Sequence, residues 1–298
     1  MKVAELAVDE LADRLRETRL VFRSGPFFLR LGTPLGDLAP VFARLYAHHT
    51  VATECCIVDG TLELKPRGWR GREAVFLVDG HATGHPFDRA LAWPYVEWGF
   101  NWLIGSRMHH LLMVHAAVVE RQGRALVMPG LSGSGKSTLC AALMAAGWRL
   151  LSDEFLMVDP ASGALLPLPR PIALKGRAID LIRARMPDAV FGPAYPDTRK
   201  GLLSHLAPPA HAVAREAEPA VARWIVFPRF TAGAAAHLTP IPRGEAWLQI
   251  GENSFNYQLR GRNGFEEVGR LVRGAACFAL EFGDLDAALA RLDEVCVP

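Results

Sequence analysis

The segment Gly130–Ser137 constrains the fold of this chain more than any other, because it reads GLSGSGKS. This sequence matches the phosphate-binding pattern G-x-x-x-x-G-K-[ST]. The apolar run Ala125–Met128 comes directly before it, and Leu139–Ala146 after it is rich in helix-forming residues. Two further apolar runs, at 149–151 and 155–158, are typical of strands. The order strand, glycine-rich loop, helix, strand predicts an α/β fold with a phosphate-binding loop.

Each residue type in this loop has a chemical reason to be there. Gly130, Gly133 and Gly135 allow backbone conformations that other residues avoid, so N–H groups can close around phosphate oxygens. Lys136 would reach the β- and γ-phosphates of a nucleotide, and the Ser137 hydroxyl would bind Mg²⁺. A flexible turn could match the pattern by chance, but the flanking strand and helix favour nucleotide binding. The predicted nucleotide contacts are Gly130, Ser132, Gly133, Ser134, Gly135, Lys136, Ser137 and Thr138.

An acidic pair and a histidine lie on either side of the loop in sequence. Asp153 and Glu154 follow the strand that comes after the helix, in WRLLSDEFLMVD. Acids at such a strand end hold metal or orient a nucleophile in phosphate-loop proteins, although surface charge is the alternative. His115 lies inside the apolar run LLMVHAAVV, where its residue type and surroundings alone favour a core histidine. His109 and His110 form no HExxH pattern, so they do not predict a metal site.

Composition sets broad limits on the class of protein. The chain has 298 residues, of which 50% are hydrophobic and 21% charged, and a net charge of +2, so nothing predicts a nucleic-acid partner. The N-terminal stretch carries acids and is not typical of a signal peptide, and Leu111–Val119 is too short to span a bilayer. We therefore expect a soluble, cytoplasmic protein without a membrane partner. The cysteines, which we expect to be reduced, are Cys55, Cys56, Cys140, Cys277 and Cys296.

Periodicity predicts the remaining elements. Strands are expected at Phe27–Leu31, Glu73–Val78, Ala222–Phe227 and Trp247–Ile250, and a hairpin turn at 121–124. After the glycine-rich loop, a helix is expected over Leu139–Ala146, ending at Gly147. A second is expected at Leu38–His48 with Asp37 as N-cap. Further helices are expected around Trp93–Ile104 and at Ile179–Arg185, Gly264–Arg273 and Asp284–Val295. Loops are expected at Pro160–Pro171 and, over the surface, at Pro187–Pro219.

The stretch His115–Val158 resembles the HPr kinase/phosphorylase family. The resemblance lies in a histidine at a matching distance before the loop and in the motif after the helix, where the matching residues are Gly147, Arg149, Leu150, Asp153 and Glu154. The segments LPRPIALKG, YPDTRKGLLSHLAPP, IVFPRF, GENSFNY and CFALEFGDLDAAL are similar to a branch of that family, the HPr kinase-related kinases of type A. Together these similarities cover residues 85–298.

The resemblance implies a fold and a reaction. It implies a kinase core of the HPr kinase/phosphoenolpyruvate carboxykinase type over residues 106–298, beside an α+β region over 1–105. The reaction would transfer the γ-phosphoryl group of ATP to a hydroxyl, serine by preference, of a peptide or protein in a peptide-modification system. Asp153 would be the general base, Glu154 would assist at Mg²⁺ with Asp153 and Ser137, and His115 would hydrogen-bond near the acidic pair. The resemblance also implies an oligomer, a hexamer in the parent family.

The chain departs from the parent family in ways that leave alternatives open. Glu154 stands where the family usually has Asp. IALKG aligns with a signature segment in which the parent family has a conserved acidic residue, so one possible metal ligand is absent and Lys175 lies close by. Reverse phosphorolysis and HPr as acceptor are therefore both in doubt. The remaining candidates for phosphate or substrate contacts, each of which could instead be structural, are Lys175, Lys200 and Asn253, with Arg199, His205, Ser254 and Asn256 near them. Two other functions fit the motifs, namely a kinase for an amino acid or metabolite and a nucleotide-dependent binding module without transfer.

Overall fold

The computed structural model describes residues 1–52 and 57–297, so the thiols of Cys55 and Cys56 lie outside the described residues. The strands are β1 (Leu20–Ser24), β2 (Phe27–Gly32), β3 (Gly60–Arg67), β4 (Glu73–Val78), β5 (His81–Asp88), β6 (Leu112–Arg121), β7 (Arg124–Pro129), β8 (Arg149–Ser152), β9 (Phe155–Val158), β10 (Ile172–Lys175), β11 (Phe191–Thr198), β12 (Gly201–Leu206), β13 (Val221–Phe230), β14 (His237–Pro240) and β15 (Ala276–Phe282). The helices are α1 (Val8–Arg16), α2 (Leu38–Leu45), α3 (Ala92–Arg107), α4 (Lys136–Ala145), α5 (Arg177–Arg185), α6 (Ala210–Ala214), α7 (Arg243–Glu252), α8 (Tyr257–Gly274) and α9 (Leu285–Val295).

The chain divides into two compact units, and neither is a single stretch of sequence. The first consists of Met1–Arg107, Arg170–Ile179 and Asp188–Ala214. The second consists of Met108–Pro169, Asp180–Pro187 and Arg215–Pro298. The first unit therefore contains the N-terminal region together with two later segments, whereas the sequence predicted one boundary near residue 105.

The first unit contains two sheets. Strands β1 to β5 form one sheet in chain order, in which β2 and β3 are parallel and the other neighbours antiparallel. Helix α3 packs on β3 and β4, because its apolar residues recur at helical spacing and are buried. The second sheet is antiparallel and has the order β10-β12-β11.

The second unit is built on one mixed sheet with the order β14-β15-β13-β7-β6-β8. Strand β13 is parallel to both β7 and β15, whereas β6 is antiparallel to β7 and to β8. Strand β9 continues from β8 along β6, so the two short strands lie end to end beside one long one. One face of β6, which includes Val114 and Val118, packs with Ile250 of α7 and Val268 of α8 in the core. Helix α4 contacts β6 and α9.

These observations confirm the α/β class with a mixed sheet, and most of the predicted elements. The predicted strands Phe27–Leu31, Glu73–Val78 and Ala222–Phe227 lie within β2, β4 and β13. The predicted helices correspond to α2, α3, α4, α5, α8 and α9, with α2 ending at Leu45 rather than His48. The predicted hairpin turn is present, with Gln122 at φ 54° and Gly123 at φ 76°. Cys140, Cys277 and Cys296 are free and buried.

Two predictions were wrong. Pro187–Pro219 does not wander over the surface, because it contains β11, β12 and α6 and buries Ser204. Trp247–Ile250 lies within helix α7, where Ala246 and Ile250 are buried at a spacing of one helical turn. Asp37 is at the N-cap position of α2, as predicted, although its side chain makes no capping hydrogen bond.

Across 1–52 and 57–297, every helix is too short or too polar to cross a bilayer.

Candidate active site

The glycine-rich loop joins the end of β7 to the start of α4. Gly130, Gly133 and Gly135 have φ values of 153°, 93° and 94°, in a range that side chains with a Cβ rarely adopt. Within the loop, the Ser134 N–H donates to Leu131 O at 3.3 Å. At the loop's end, the Leu139 N–H donates to Gly135 O at 3.0 Å and begins the helix. The loop therefore leads its backbone N–H groups into the first turn of a helix, as anion binding requires.

The neighbouring strands hold the loop in place. The Phe230 N–H at the end of β13 donates to Ser134 O at 3.1 Å. A Cβ on Gly135 would lie 2.9 Å from Phe282 Cζ and 3.2 Å from Phe230 Cβ, closer than ordinary packing permits. The two phenylalanine rings pack edge to face, with centroids 5.7 Å apart. Strands β13 and β15 thus determine where the loop turns into α4.

Lys136 is the first residue of α4 and is buried. Its Nζ donates to Gly130 O at 2.6 Å and to Leu131 O at 2.8 Å. The lysine therefore spans the opening of the loop and brings a positive charge to the group of N–H donors. Ser137 and Thr138, in the same helical turn, are half-buried.

The acidic pair lies at the same level of the sheet as the start of the loop. Asp153 and Glu154 form the junction between β8 and β9, and the Glu154 carbonyl accepts a hydrogen bond from the Ala116 N–H at 3.3 Å. Ala116 is also the partner of Pro129, the last residue of β7. Because neighbouring strands are about 4.8 Å apart, the acidic pair and the start of the loop are separated by roughly two strand spacings across β6.

Asp153 is the buried member of the pair, at 5% exposure, whereas the Glu154 side chain is 39% exposed. Burial raises the pKa of the Cys140 thiol well above its ordinary value, and the negative charge of Asp153 raises it further. The Asp153 carboxylate therefore lies close to Cys140, which is one helical turn after Lys136 on the same face of α4. The structure thus brings Asp153 near the helix that begins at the glycine-rich loop.

His115 lies between the loop and the acidic pair. Its carbonyl accepts a hydrogen bond from the Gly130 N–H at 3.4 Å, and its Nε2 lies 3.4 Å from Glu154 Oε2. The flanking residue Val114 faces the core formed with α7 and α8, so strand alternation directs the His115 side chain to the opposite face. His115 is therefore not a core histidine, because its side chain remains 27% exposed beside a carboxylate.

The segment Asn253–Asn256 lies beside β6 and is joined to it by backbone hydrogen bonds. The Asn253 carbonyl accepts from the His115 N–H at 2.8 Å, and the Phe255 N–H donates to Met113 O at 2.9 Å. Asn256 is structural, because its Oδ1 accepts from Met113 N at 3.0 Å and its Nδ2 donates to Leu111 O at 2.7 Å. The Ser254 hydroxyl accepts from the N–H of Tyr257 at 3.0 Å, which closes the turn that leads into α8. Asn253 Nδ2 donates to Gln249 O at 2.8 Å, and its Oδ1 is buried without a hydrogen-bond partner among residues 1–52 and 57–297.

Arg149, which matches the family motif in register, has a structural position. Its guanidinium binds the Glu120 carboxylate and donates to Arg215 O at 2.8 Å and Glu218 O at 3.1 Å. Both partners of the Arg149–Glu120 pair are nearly fully buried. The arginine therefore joins β6 and β8 to the segment before β13, away from the acidic pair.

The remaining sequence candidates are in the first unit, whereas the loop, His115 and the acidic pair are in the second. Lys175 is half-buried at the end of β10, and Lys200 is exposed in the turn between β11 and β12. His205 is buried in β12, with its ring 6.4 Å from that of Trp93. Contacts of Lys175 and Lys200 with phosphate or substrate stay predictions.

In the described part of the chain, no group of three or more His, Cys, Asp or Glu side chains is arranged to hold a metal ion. The predicted set of Ser137, Asp153 and Glu154 offers a hydroxyl and two carboxylates. Such a set suits Mg²⁺ only if phosphate oxygens and water supply the other ligands, which is how Mg²⁺ is commonly bound beside nucleotides.

Sequence reasoning missed two features of this site. The first is the pair Phe230 and Phe282, which packs behind Gly135 and comes from strands far along the chain. The second is Phe255, whose ring lies 6.0 Å from the ring of His115. The sequence analysis names the polar neighbours of Phe255 as candidates. The signal that could have found Phe255 is an aromatic residue within this polar segment, ENSFNY.

Comparison with known proteins does not identify a family. No family model matches the chain, and no curated protein matches it at a significant level. The resemblance to HPr kinase-related kinases therefore stays a prediction.

Proposed function

We propose that this protein is an ATP-dependent kinase that transfers the γ-phosphoryl group to a hydroxyl, serine by preference, of a peptide or protein. One observation carries the proposal. The glycine-rich loop with Lys136, the His115 side chain and the Asp153–Glu154 pair lie at one level of one mixed sheet, two strand spacings apart. The resemblance to the type A branch of the HPr kinase family supports the same reaction.

The residues of the loop fit the phosphates of a nucleotide. Gly133 and Gly135 adopt conformations that leave room for close approach, and the loop ends in a helix whose first N–H groups attract anions. Lys136 adds a buried positive charge at the loop's opening. When bound, Mg²⁺ would neutralise phosphate charge, and Ser137, Asp153 and Glu154 are the residues that would hold it.

The chain's own residues divide the work of transfer. Lys136 stabilises negative charge on the transferred group. Asp153 accepts the proton of the acceptor hydroxyl while the hydroxyl oxygen forms its bond to the γ-phosphorus. The bond from the γ-phosphorus to the bridging oxygen breaks, and ADP leaves. His115 holds Glu154 in place at 3.4 Å, which keeps the exposed carboxylate beside the site.

Two substitutions test the mechanism. We expect Lys136→Ala to lower transfer by at least about 100-fold, because it removes the charge that faces the phosphates. Asp153→Asn should lower transfer by about 100- to 10,000-fold while nucleotide still binds, because it removes the base but not the loop. Transfer is measured with γ-labelled ATP, Mg²⁺ and mixed serine peptides, and binding with a fluorescent nucleotide. The control is Lys65→Ala, because Lys65 is an exposed lysine on β3 in the first unit.

The outcomes separate this function from the alternatives. Normal transfer by Lys136→Ala would show that the loop is not the phosphate site. Label found in low-mass metabolites rather than in peptide would indicate a small-molecule kinase. Tight ATP binding with no transfer to peptide, metabolite or water would indicate a nucleotide-dependent binding module.

A further inference from the structure

Phe255 is an exposed aromatic residue directly beside the candidate active site. Its side chain is 47% exposed, although its ring lies 6.0 Å from that of His115 and 5.0 Å from that of Phe155. Leu259, four residues further at the start of α8, is 73% exposed. Single exposed apolar residues are common on protein surfaces, so exposure alone does not indicate a role for Phe255.

The backbone around Phe255 distinguishes it from an ordinary surface residue. Its N–H bonds to Met113 O at 2.9 Å, and hydrogen bonds from the neighbours Ser254 and Asn256 fix both sides of it to β6. On the next pair along the ladder, Asn253 O accepts from His115 N at 2.8 Å. The position of Phe255 is thus tied to the same strand that positions His115. The backbone is therefore already ordered, and an aromatic side chain with only two dihedral angles loses little conformational entropy when a ligand packs on it.

We infer that Phe255 is a specificity-determining residue that packs against an apolar side chain of the acceptor peptide, one or two residues from the phosphorylated serine. The inference rests on the proposed kinase function. Consecutive residues of a peptide are about 3.8 Å apart. When the acceptor serine reaches the acidic pair, the residues that flank it in the peptide therefore lie over the Phe255 ring. The side chain at one of those positions can then cover the exposed face of Phe255.

The test uses a position-scanning library of serine peptides, in which one position near the serine is fixed in turn as Leu, Phe, Ser, Glu or Lys. The full-length protein with ATP and Mg²⁺ should prefer Leu or Phe at one position within two residues of the serine. For peptides with that residue, Phe255→Ala should raise KM by about tenfold, which corresponds to loss of one partly buried apolar contact. Peptides with Ser at that position should react equally with both proteins, and Phe255→Leu should restore the preference.

Leu181→Ala is the matched control, since Leu181 is 42% exposed on α5, whose end contacts α9 through Arg185 and Asp286 at 2.5 Å. We expect it to keep the preference. An equal loss of activity toward all peptides in Phe255→Ala would overturn the inference, because it would indicate a structural role. Transfer by the wild-type protein without any apolar preference would also overturn it and leave the kinase function standing. Absence of transfer to every peptide would instead overturn the peptide-kinase function, and the inference with it.

A second copy of the chain could also cover this ring. Light scattering measures the molar mass of the wild-type protein and of Phe255→Ala, and so tests whether a second copy covers the ring. If the wild-type protein is an oligomer that the substitution dissociates, Phe255 lies at an interface between copies and the inference is wrong. An unchanged molar mass together with the lost peptide preference supports it.

Discussion

Gly133 and Gly135 have nearly the same backbone conformation but different surroundings. Their φ values are 93° and 94°. A Cβ on Gly135 would meet Phe282 Cζ at 2.9 Å, whereas a Cβ on Gly133 would meet none of the atoms that the structure describes within 4 Å. The two glycines therefore allow backbone strain to be measured separately from steric conflict.

We predict that Gly135→Ala destabilises the protein more than Gly133→Ala. Both substitutions place a side chain at positive φ, which costs about 1–3 kcal/mol. Gly135→Ala adds overpacking against Phe282, which typically costs about 1–3 kcal/mol more. Urea unfolding without nucleotide measures both free energies. Equal losses for the two variants would mean that β13 and β15 do not fix the end of the loop.

At the scale of elements, the hairpin of β6 and β7 is anchored by a buried ion pair. Glu120 accepts hydrogen bonds from the Gly123 N–H in the turn and from Arg149 on β8. Burial by itself raises the pKa of Glu120, but the hydrogen bonds from Gly123 and Arg149 and the charge of Arg149 outweigh it. The pKa of Glu120 therefore lies below its ordinary value of 4.5.

This depressed pKa predicts a pH dependence of stability. The ionised Glu120 stabilises the fold above its unfolded pKa, and that contribution is lost as pH falls through the folded pKa. Glu120→Gln should cost about 3–5 kcal/mol at neutral pH, because it leaves Arg149 buried without a carboxylate.

The measurement is urea unfolding of both proteins at neutral pH and at a pH below the folded pKa of Glu120. The difference between them should shrink at the lower pH, since the wild-type carboxylate is then protonated. Glu218→Gln, which removes an exposed partner of Arg215, is the control and should cost less than about 1 kcal/mol. A difference that is the same at both pH values would contradict the assignment.

Sequence patterns predicted the elements whose signals are local. The glycine-rich loop, α4, β8 and β9 follow one another within Gly130–Val158, so strand runs and a helix-forming segment were enough to find them. His115 could be placed beside Glu154 only through the resemblance. Their contact depends on the register of β6 with β9, which the sequence does not display.

Strand β11 shows why other elements were missed. Its Pro193 and Pro196 are typical of a loop, yet β11 is an edge strand with register shifts between Phe191 and Ala194 and between Tyr195 and Thr198. Each proline falls within one of these shifts, where a missing N–H donor does not break the ladder. Tertiary pairing with β12 therefore makes a strand of residues whose local preference is irregular.

At the scale of the molecule, the first unit brings together segments far apart in sequence. Arg170 Nη2 lies 2.7 Å from Glu97 Oε2, and Tyr46 OH donates to Glu97 Oε1 at 2.8 Å. All three side chains are buried. Burial by itself lowers the pKa of Arg170, but Tyr46 and Glu97 outweigh it, so the guanidinium stays charged. The sequence could not predict this network, because 73 residues separate Glu97 from Arg170.

The network predicts strong coupling between the N-terminal region and the segment that begins at Arg170. Arg170→Met alone leaves the Glu97 carboxylate buried without its cation and should cost about 3–5 kcal/mol. Adding Glu97→Gln removes the uncompensated charge, so the double variant should recover part of that loss. Urea unfolding of the two single variants and the double variant gives the interaction energy. If the two losses simply add, the Arg170–Glu97 pair does not hold the segment Arg170–Ile179 to the N-terminal region.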